Sequence, residues 1–163
     1  MGTTHCALSY VDRSASDGDT VAQGVLDIPQ LTGPASVDAK PLLPSFLYLP
    51  HESELTPADM ALPWGAADGY VVGEFARSRG AATPIRLVSS AKSWLCHPGV
   101  DRRAPLLPAD APAEVPRVSP LTASIRYLSH LRWAWDQAHP EAPFDAQDIT
   151  VTIPASFDPA ARE

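Results

Sequence analysis

Apolar positions in this chain come in short bursts between prolines, with two longer runs at helical spacing. After Ser119-Pro120, residues Leu121, Ile125, Leu128, Leu131 and Trp135 fall on one helical face, with Arg126, His130, Arg132 and Gln137 elsewhere. Serine suits a helix cap and proline suits the first turn. The pattern therefore predicts a helix over 119–139, stopped by Pro140. Trp133 and Trp135 read as packing residues within it. Thr83-Pro84 is a second start of the same kind. Leu87, Val88, Ala91 and Leu95 then form an apolar stripe that predicts a helix over 84–95. A shorter helix is expected over 74–79, with Gly80 as its stop.

Strands are expected where β-branched and aromatic residues gather in short runs: 5–11, 20–28, 46–49 and 148–153. Residues 70–73 read as a strand turning into the helix at 74. Asp17-Gly18 marks a hairpin between the first two strands. The segment from Asp148 to Ile153 alternates with period two. Asp158-Pro159 is a further cap-plus-proline helix start. The 18 prolines are about twice the usual share. They gather at 29–63 and 98–120, which marks those stretches as loops, with 98–118 free of any periodicity.

Composition narrows the functional classes. A length of 163 residues allows one domain, and 45% hydrophobic content is enough for a core. The net charge of -7 argues against a nucleic-acid surface, because phosphate contacts need clustered Lys and Arg, and Arg102-Arg103 is too short a cluster. No apolar run approaches the roughly 18 residues of a membrane span. The N-terminus lacks the basic-then-apolar order of a secretory leader, so a cytoplasmic protein is expected. Cys6 and Cys96 lie far apart and read as reduced thiols. No CxxC or HExxH spacing points to a metal ligand.

Lys92 is the main chemical candidate. The chain holds two lysines, Lys40 and Lys92, against ten arginines. Arginine is a planar fork, whereas lysine is a compact charge that suits a single phosphate oxygen or an attacking water. Lys92 lies beside the 87–95 stripe, so its ammonium is expected at the edge of a core; the alternative is a solvated surface lysine.

Four segments, in order, resemble the N-terminal half of the ATPase domain of the DnaK-type heat-shock chaperones, within the actin and sugar-kinase superfamily. Gly2-Thr3-Thr4-His5-Cys6-Ala7-Leu8 resembles the family's first phosphate loop, DLGTTNS. Leu43-Pro44-Ser45-Phe46 is similar to the family's TPS before a strand. Val72–Arg77, Thr83-Pro84 and Ser89–Leu95 are similar to VGxxAK…NP…IKRLIG. Val151–Asp158 is similar to ITVPAYFND, with Arg162 at the family's spacing after the proline.

The resemblance implies an α/β fold: a ribonuclease-H-like lobe of an actin-like ATPase, with a mixed sheet and flanking helices. The early strands would form an antiparallel meander. Strand 148–153 would join them after helix 119–139 crosses one face in the right-handed sense. The resemblance assigns Gly2, Thr3, Thr4 and His5 to the phosphates of ATP or ADP and their Mg²⁺ water shell. It assigns Lys92, with Thr3, to the γ-phosphate and the attacking water. It makes Pro154 the switch proline and Arg162 the relay arginine, and implies client peptides and co-chaperones as partners. Residues 1–163 would then be a partial lobe, truncated at both ends. The family's aspartate two residues before the glycine has no counterpart, Met1 stands where leucine usually does, and His5 replaces the usual Asn or Tyr. Two alternatives stand beside this reading: a non-catalytic remnant that packs against a partner, and a sugar- or acetate-kinase-like relative.

Overall fold

The computed structural model describes residues 1–17, 20–66, 69–153 and Phe157, and shows a mixed α/β protein of small antiparallel sheets and few helices. The chain opens with β1 (His5–Cys6). Then β2 (Ser9–Asp17) and β3 (Thr20–Val25) pair as a hairpin at the place the Asp17-Gly18 signal predicts, but the expected strand 5–11 is split between β1 and β2 and the expected strand 20–28 ends at Val25; Gly18 of the turn lies outside the described residues. A second hairpin comes next, β4 (Ile28–Gly33) with β5 (Ser36–Lys40). β6 (Leu43–Pro44) returns to pair with β1. After β7 (Leu47–Tyr48) the chain makes a small hairpin, β8 (Ala61–Leu62) with β9 (Gly65–Ala66). The later elements are β10 (Val71–Val72), α1 (Glu74–Ala82), β11 (Leu87–Val88), α2 (Ala91–Trp94) and α3 (Pro120–Ala138).

β7 is the centre of the only three-stranded sheet among the described residues. Leu47 pairs with Val72 on one side and Val88 on the other; Tyr48 pairs with Val71 and Leu87. All these residues are buried except Leu87, which is half-buried. α1 packs on one side of this centre through Phe75 and Ala76. α3 closes the larger core with Ala123, Tyr127, Leu131, Ala134 and Trp135, against Leu26, Ile28, Leu43, Leu47 and Val88. Its start obeys the sequence signal: the Ser119 hydroxyl accepts from the Thr122 N–H at 2.9 Å, and Pro120 occupies the first turn.

One buried amide joins the second hairpin to α1. Gln30 is fully buried; its Nε2 donates to the Leu42 carbonyl at 2.9 Å, and its Oε1 accepts from the Glu74 N–H at 3.0 Å. The first N–H groups of a helix have no partner within it, and here a distant strand supplies one. Gly73 precedes the helix at φ 92, a conformation that favours glycine, and a Cβ there would meet the Gln30 Oε1 at 2.8 Å.

The structure corrects several expectations. Residues 84–95 are not one helix. A 3-10 turn (Pro84–Arg86), the strand β11 and the single turn of α2 replace it, with Ser90 left-handed at φ 54 between the last two. Both free edges of β7 bind short apolar strands, and Leu87-Val88 gains more there than in a helix continuing through Ser90. Gly80 does not stop α1, which runs on to Ala82; a Cβ on Gly80 would lie 2.7 Å from the Leu87 Cγ, so the glycine permits a close approach. Pro29, expected to open a loop, lies in a strand. It sits inside β4 opposite Ala39, in a two-stranded hairpin where a missing N–H is tolerated. The stretch 29–63 therefore holds five short strands, with 49–60 outside any of them, whereas 98–118 forms no strand or helix and has one bridge, Leu107 to Val118.

Two further corrections concern α3 and the segment beyond it. The buried face is rotated from the one expected. Ile125 is exposed, Leu121 and Leu128 are half-buried, and Ser124, Tyr127 and His130 are buried. His130 faces inward because its Nε2–H donates to the Pro29 carbonyl at 2.8 Å, while its ring meets Trp64 edge-on at 5.1 Å. Residues 148–153 form no strand, so the expected parallel crossover does not form and every described pairing is antiparallel. Alternation supplies strand propensity, but pairing needs an edge of matching length, and the strands around the core are two-residue pieces. The helix start at Asp158-Pro159 lies outside the described residues.

This packing makes two stability predictions. Gly80→Ala gains about 1 kcal/mol of helix propensity, but the collision with Leu87 costs roughly 1–3 kcal/mol. Urea unfolding is expected to show net destabilisation, and a stabilised variant would refute the close-packing account. Burial lowers the pKa of His130 from 6.5 to about 4. The unfolded chain thus takes up the proton first as pH falls. The stability His130 contributes is complete above pH 6.5 and is lost as pH falls towards 4. Between pH 7 and 4.5 the loss is expected at about 2–3 kcal/mol. It should be absent from His130→Gln, as denaturant titrations at the two pH values would show.

Candidate functional site

The turn at residues 2–5 is shaped by glycine and held from below by Ser45. The Gly2 N–H donates to the His5 carbonyl at 2.9 Å, and a Cβ on Gly2 would collide with that oxygen. The Ser45 N–H donates to the Thr4 carbonyl at 2.8 Å, and its hydroxyl donates to the Gly2 carbonyl at 2.9 Å. The buried Cys6 thiol lies 3.4 Å from the same hydroxyl. Cys6 and Cys96 are both free thiols. Thr3 and Thr4 at the tip are exposed, and their hydroxyls make no hydrogen bond among the described residues. His5 is half-buried in β1 opposite Pro44; its part in the turn is its carbonyl.

Lys92 reaches this turn from the far side of the sequence. The left-handed Ser90 starts α2 and places Lys92 in its only turn. The side chain is 8% exposed, and its ammonium donates to the Met1 carbonyl, next to Gly2. The buried Phe157 ring lies 5.9 Å from the nitrogen. No carboxylate pairs with Lys92 among the described residues. An ammonium withdrawn from water costs several kcal/mol. One carbonyl and one ring face offset part of that, on the order of 1–3 kcal/mol together. Among the described residues no counter-charge meets this ammonium, and the threonine hydroxyls of the adjoining turn make no hydrogen bond. Such a site has the chemistry to receive an anion.

Phosphate fits this donor set: a single ammonium, two threonine hydroxyls and a glycine that lets the backbone come close. Among the described residues no three His, Cys, Asp or Glu side chains gather to hold a metal. The structure thus brings the Lys92 ammonium to the Met1 carbonyl, the residue before Gly2. Pro154 and Arg162 lie outside the described residues. Sequence reasoning gave no role to Ser45 or Phe157. The serine's place in Leu43-Pro44-Ser45-Phe46 was the one available signal, and no local pattern reveals a ring that meets a lysine 65 positions away (157 − 92).

No protein-family model matches this chain, and no curated protein matches it. No described helix is long and apolar enough to cross a membrane.

The buried charge makes a direct prediction. Lys92→Met keeps the stem's packing and removes the buried charge, so it is expected to leave stability unchanged or raise it by about 1–4 kcal/mol. Millimolar inorganic phosphate should raise the melting temperature of the original chain and not that of the variant. Equal shifts in both, measured by thermal unfolding, would remove Lys92 from the site.

Proposed function

We propose that this chain is the N-terminal part of a DnaK-type chaperone ATPase, a ribonuclease-H-like lobe that binds the phosphates of ATP or ADP at the Gly2–Thr4 turn. The observation that carries this reading is the buried ammonium of Lys92, without a carboxylate partner among the described residues, at the Met1 carbonyl beside that turn. The ordered sequence resemblance supports it independently.

ATP with Mg²⁺ supplies the transferable phosphoryl group. The chain's own residues prepare its place. Gly2 lets backbone approach the phosphates, and Ser45 fixes the turn through both its N–H and its hydroxyl. Thr3 and Thr4 offer hydroxyls that are not engaged elsewhere among the described residues. Lys92 provides a fixed cation in a partly dehydrated setting, where it stabilises charge developing on oxygen more strongly than in water. Pro154 and Arg162 would relay nucleotide state to a client-peptide site, with co-chaperones as further partners, in the cytoplasm.

Calorimetric titration with Mg²⁺-ATP and Mg²⁺-ADP tests the reading. Micromolar binding is expected, and Lys92→Ala should weaken it about tenfold or more. Thr3→Ala should weaken it less. A folded chain that binds neither nucleotide would overturn the assignment.

A further inference from the structure

Six aliphatic, β-branched side chains stand in water on two neighbouring segments. Val11, Val21 and Val25 belong to the β2–β3 hairpin, and Ile149, Val151 and Ile153 to the segment after α3; each is between 41% and 61% exposed. The hairpin register separates its faces. Tyr10 pairs with Gly24, and a Cβ on Gly24 would lie 2.5 Å from the Tyr10 ring. That ring meets Trp135 edge-on at 5.4 Å, so its face looks inward. Ser9 with Val25 and Val11 with Gln23 occupy the opposite face, and alternation along β3 adds Val21 to it; the register shifts after Asp12, so Arg13 is located by its ion pair and not by alternation. In an extended chain, Ile149, Val151 and Ile153 likewise share one side.

A single ion pair ties the two segments together. The Arg13 Nη2 lies 2.8 Å from the Asp148 Oδ2, and both side chains are 83% exposed. An exposed pair of this kind holds little energy in water and exchanges partners freely. The patch therefore carries one positive and one negative charge flanked by aliphatic residues. That combination is self-complementary: about a two-fold axis, Arg13 of one copy meets Asp148 of another, and Asp148 meets Arg13. The apolar residues would be covered by the same residues of the partner, and the alternating segment would gain the strand neighbour it lacks.

We propose that the outer face of the β2–β3 hairpin and the segment 148–153 form a two-fold interface between two copies of this chain, in which the Arg13–Asp148 pair is exchanged between copies. This face carries none of Gly2, Thr3, Thr4 and Lys92, so the inference stands or falls separately from nucleotide binding.

Sedimentation equilibrium over a range of protein concentrations tests it, without nucleotide. A monomer–dimer equilibrium is expected. Val11→Lys and Val151→Lys alter exposed positions, so circular dichroism should show an unchanged fold, and each should raise the dimer dissociation constant about tenfold or more. Arg13→Asp or Asp148→Arg alone should weaken the dimer about threefold or more, and the double charge exchange should restore it. A chain that stays monomeric at every concentration overturns the proposal. So does a dimer indifferent to these four substitutions, or a series of ever larger assemblies in place of a closed pair.

Discussion

A lysine ammonium withdrawn from water, with one carbonyl and one ring as its polar and aromatic contacts among the described residues, sets the main constraint on this fold. It ties α2 to the first residues of the chain, and through Phe157 to the last described one. The surrounding structure is arranged so that this contact can occur. β7 holds β10 and β11 on its two edges, and Ser90 turns the chain sharply enough after β11 for α2 to aim Lys92 across the sheet at Met1. From the other direction, Ser45 holds the adjoining turn through two hydrogen bonds, to the Thr4 and Gly2 carbonyls. A cation in such a place is most stable when an anion shares it. That physical need, together with the ordered motifs, supports a phosphate site.

The sequence was legible where structure is decided locally. The start and end of α3 rest on Ser119, Pro120 and Pro140, which act within a turn of themselves, and the helix spans Pro120–Ala138 as expected. The first hairpin is likewise local. Errors arose where distant partners decide. The Leu87, Val88, Ala91 and Leu95 stripe fits a helix, but Val88 is buried as a strand residue on β7 and Ala91 as a helical one. Both periods place the same residues in the core, so the pattern cannot separate them. α3 shows the same limit. Counting large aliphatic residues selects Ile125, whereas one hydrogen bond from His130 to the Pro29 carbonyl and the fit of Tyr127 turn the helix another way.

The candidate site was legible in its parts and not in its support. Lys92 stood out by residue type and by its place beside an apolar stripe, and the Gly2-Thr3-Thr4 turn by its composition. Their meeting is a fact of tertiary structure, as is the second role of Ser45. The 148–153 segment shows the converse: strong intrinsic propensity without a neighbour leaves five β-branched residues unpaired. Propensity describes what a segment tolerates, and pairing depends on what lies beside it.

The Gln30–Gly73 contact also bears on how this chain can drift in sequence. The space a side chain at position 73 would need is already held by the Gln30 amide, and that amide is what the first turn of α1 leans on. Neither position can be exchanged alone without either a collision or an orphaned helix N–H. The two sites lie in different elements, 43 positions apart (73 − 30). They are expected to behave as a single heritable unit: descendants that lose one must pass through a less stable intermediate before the other can change.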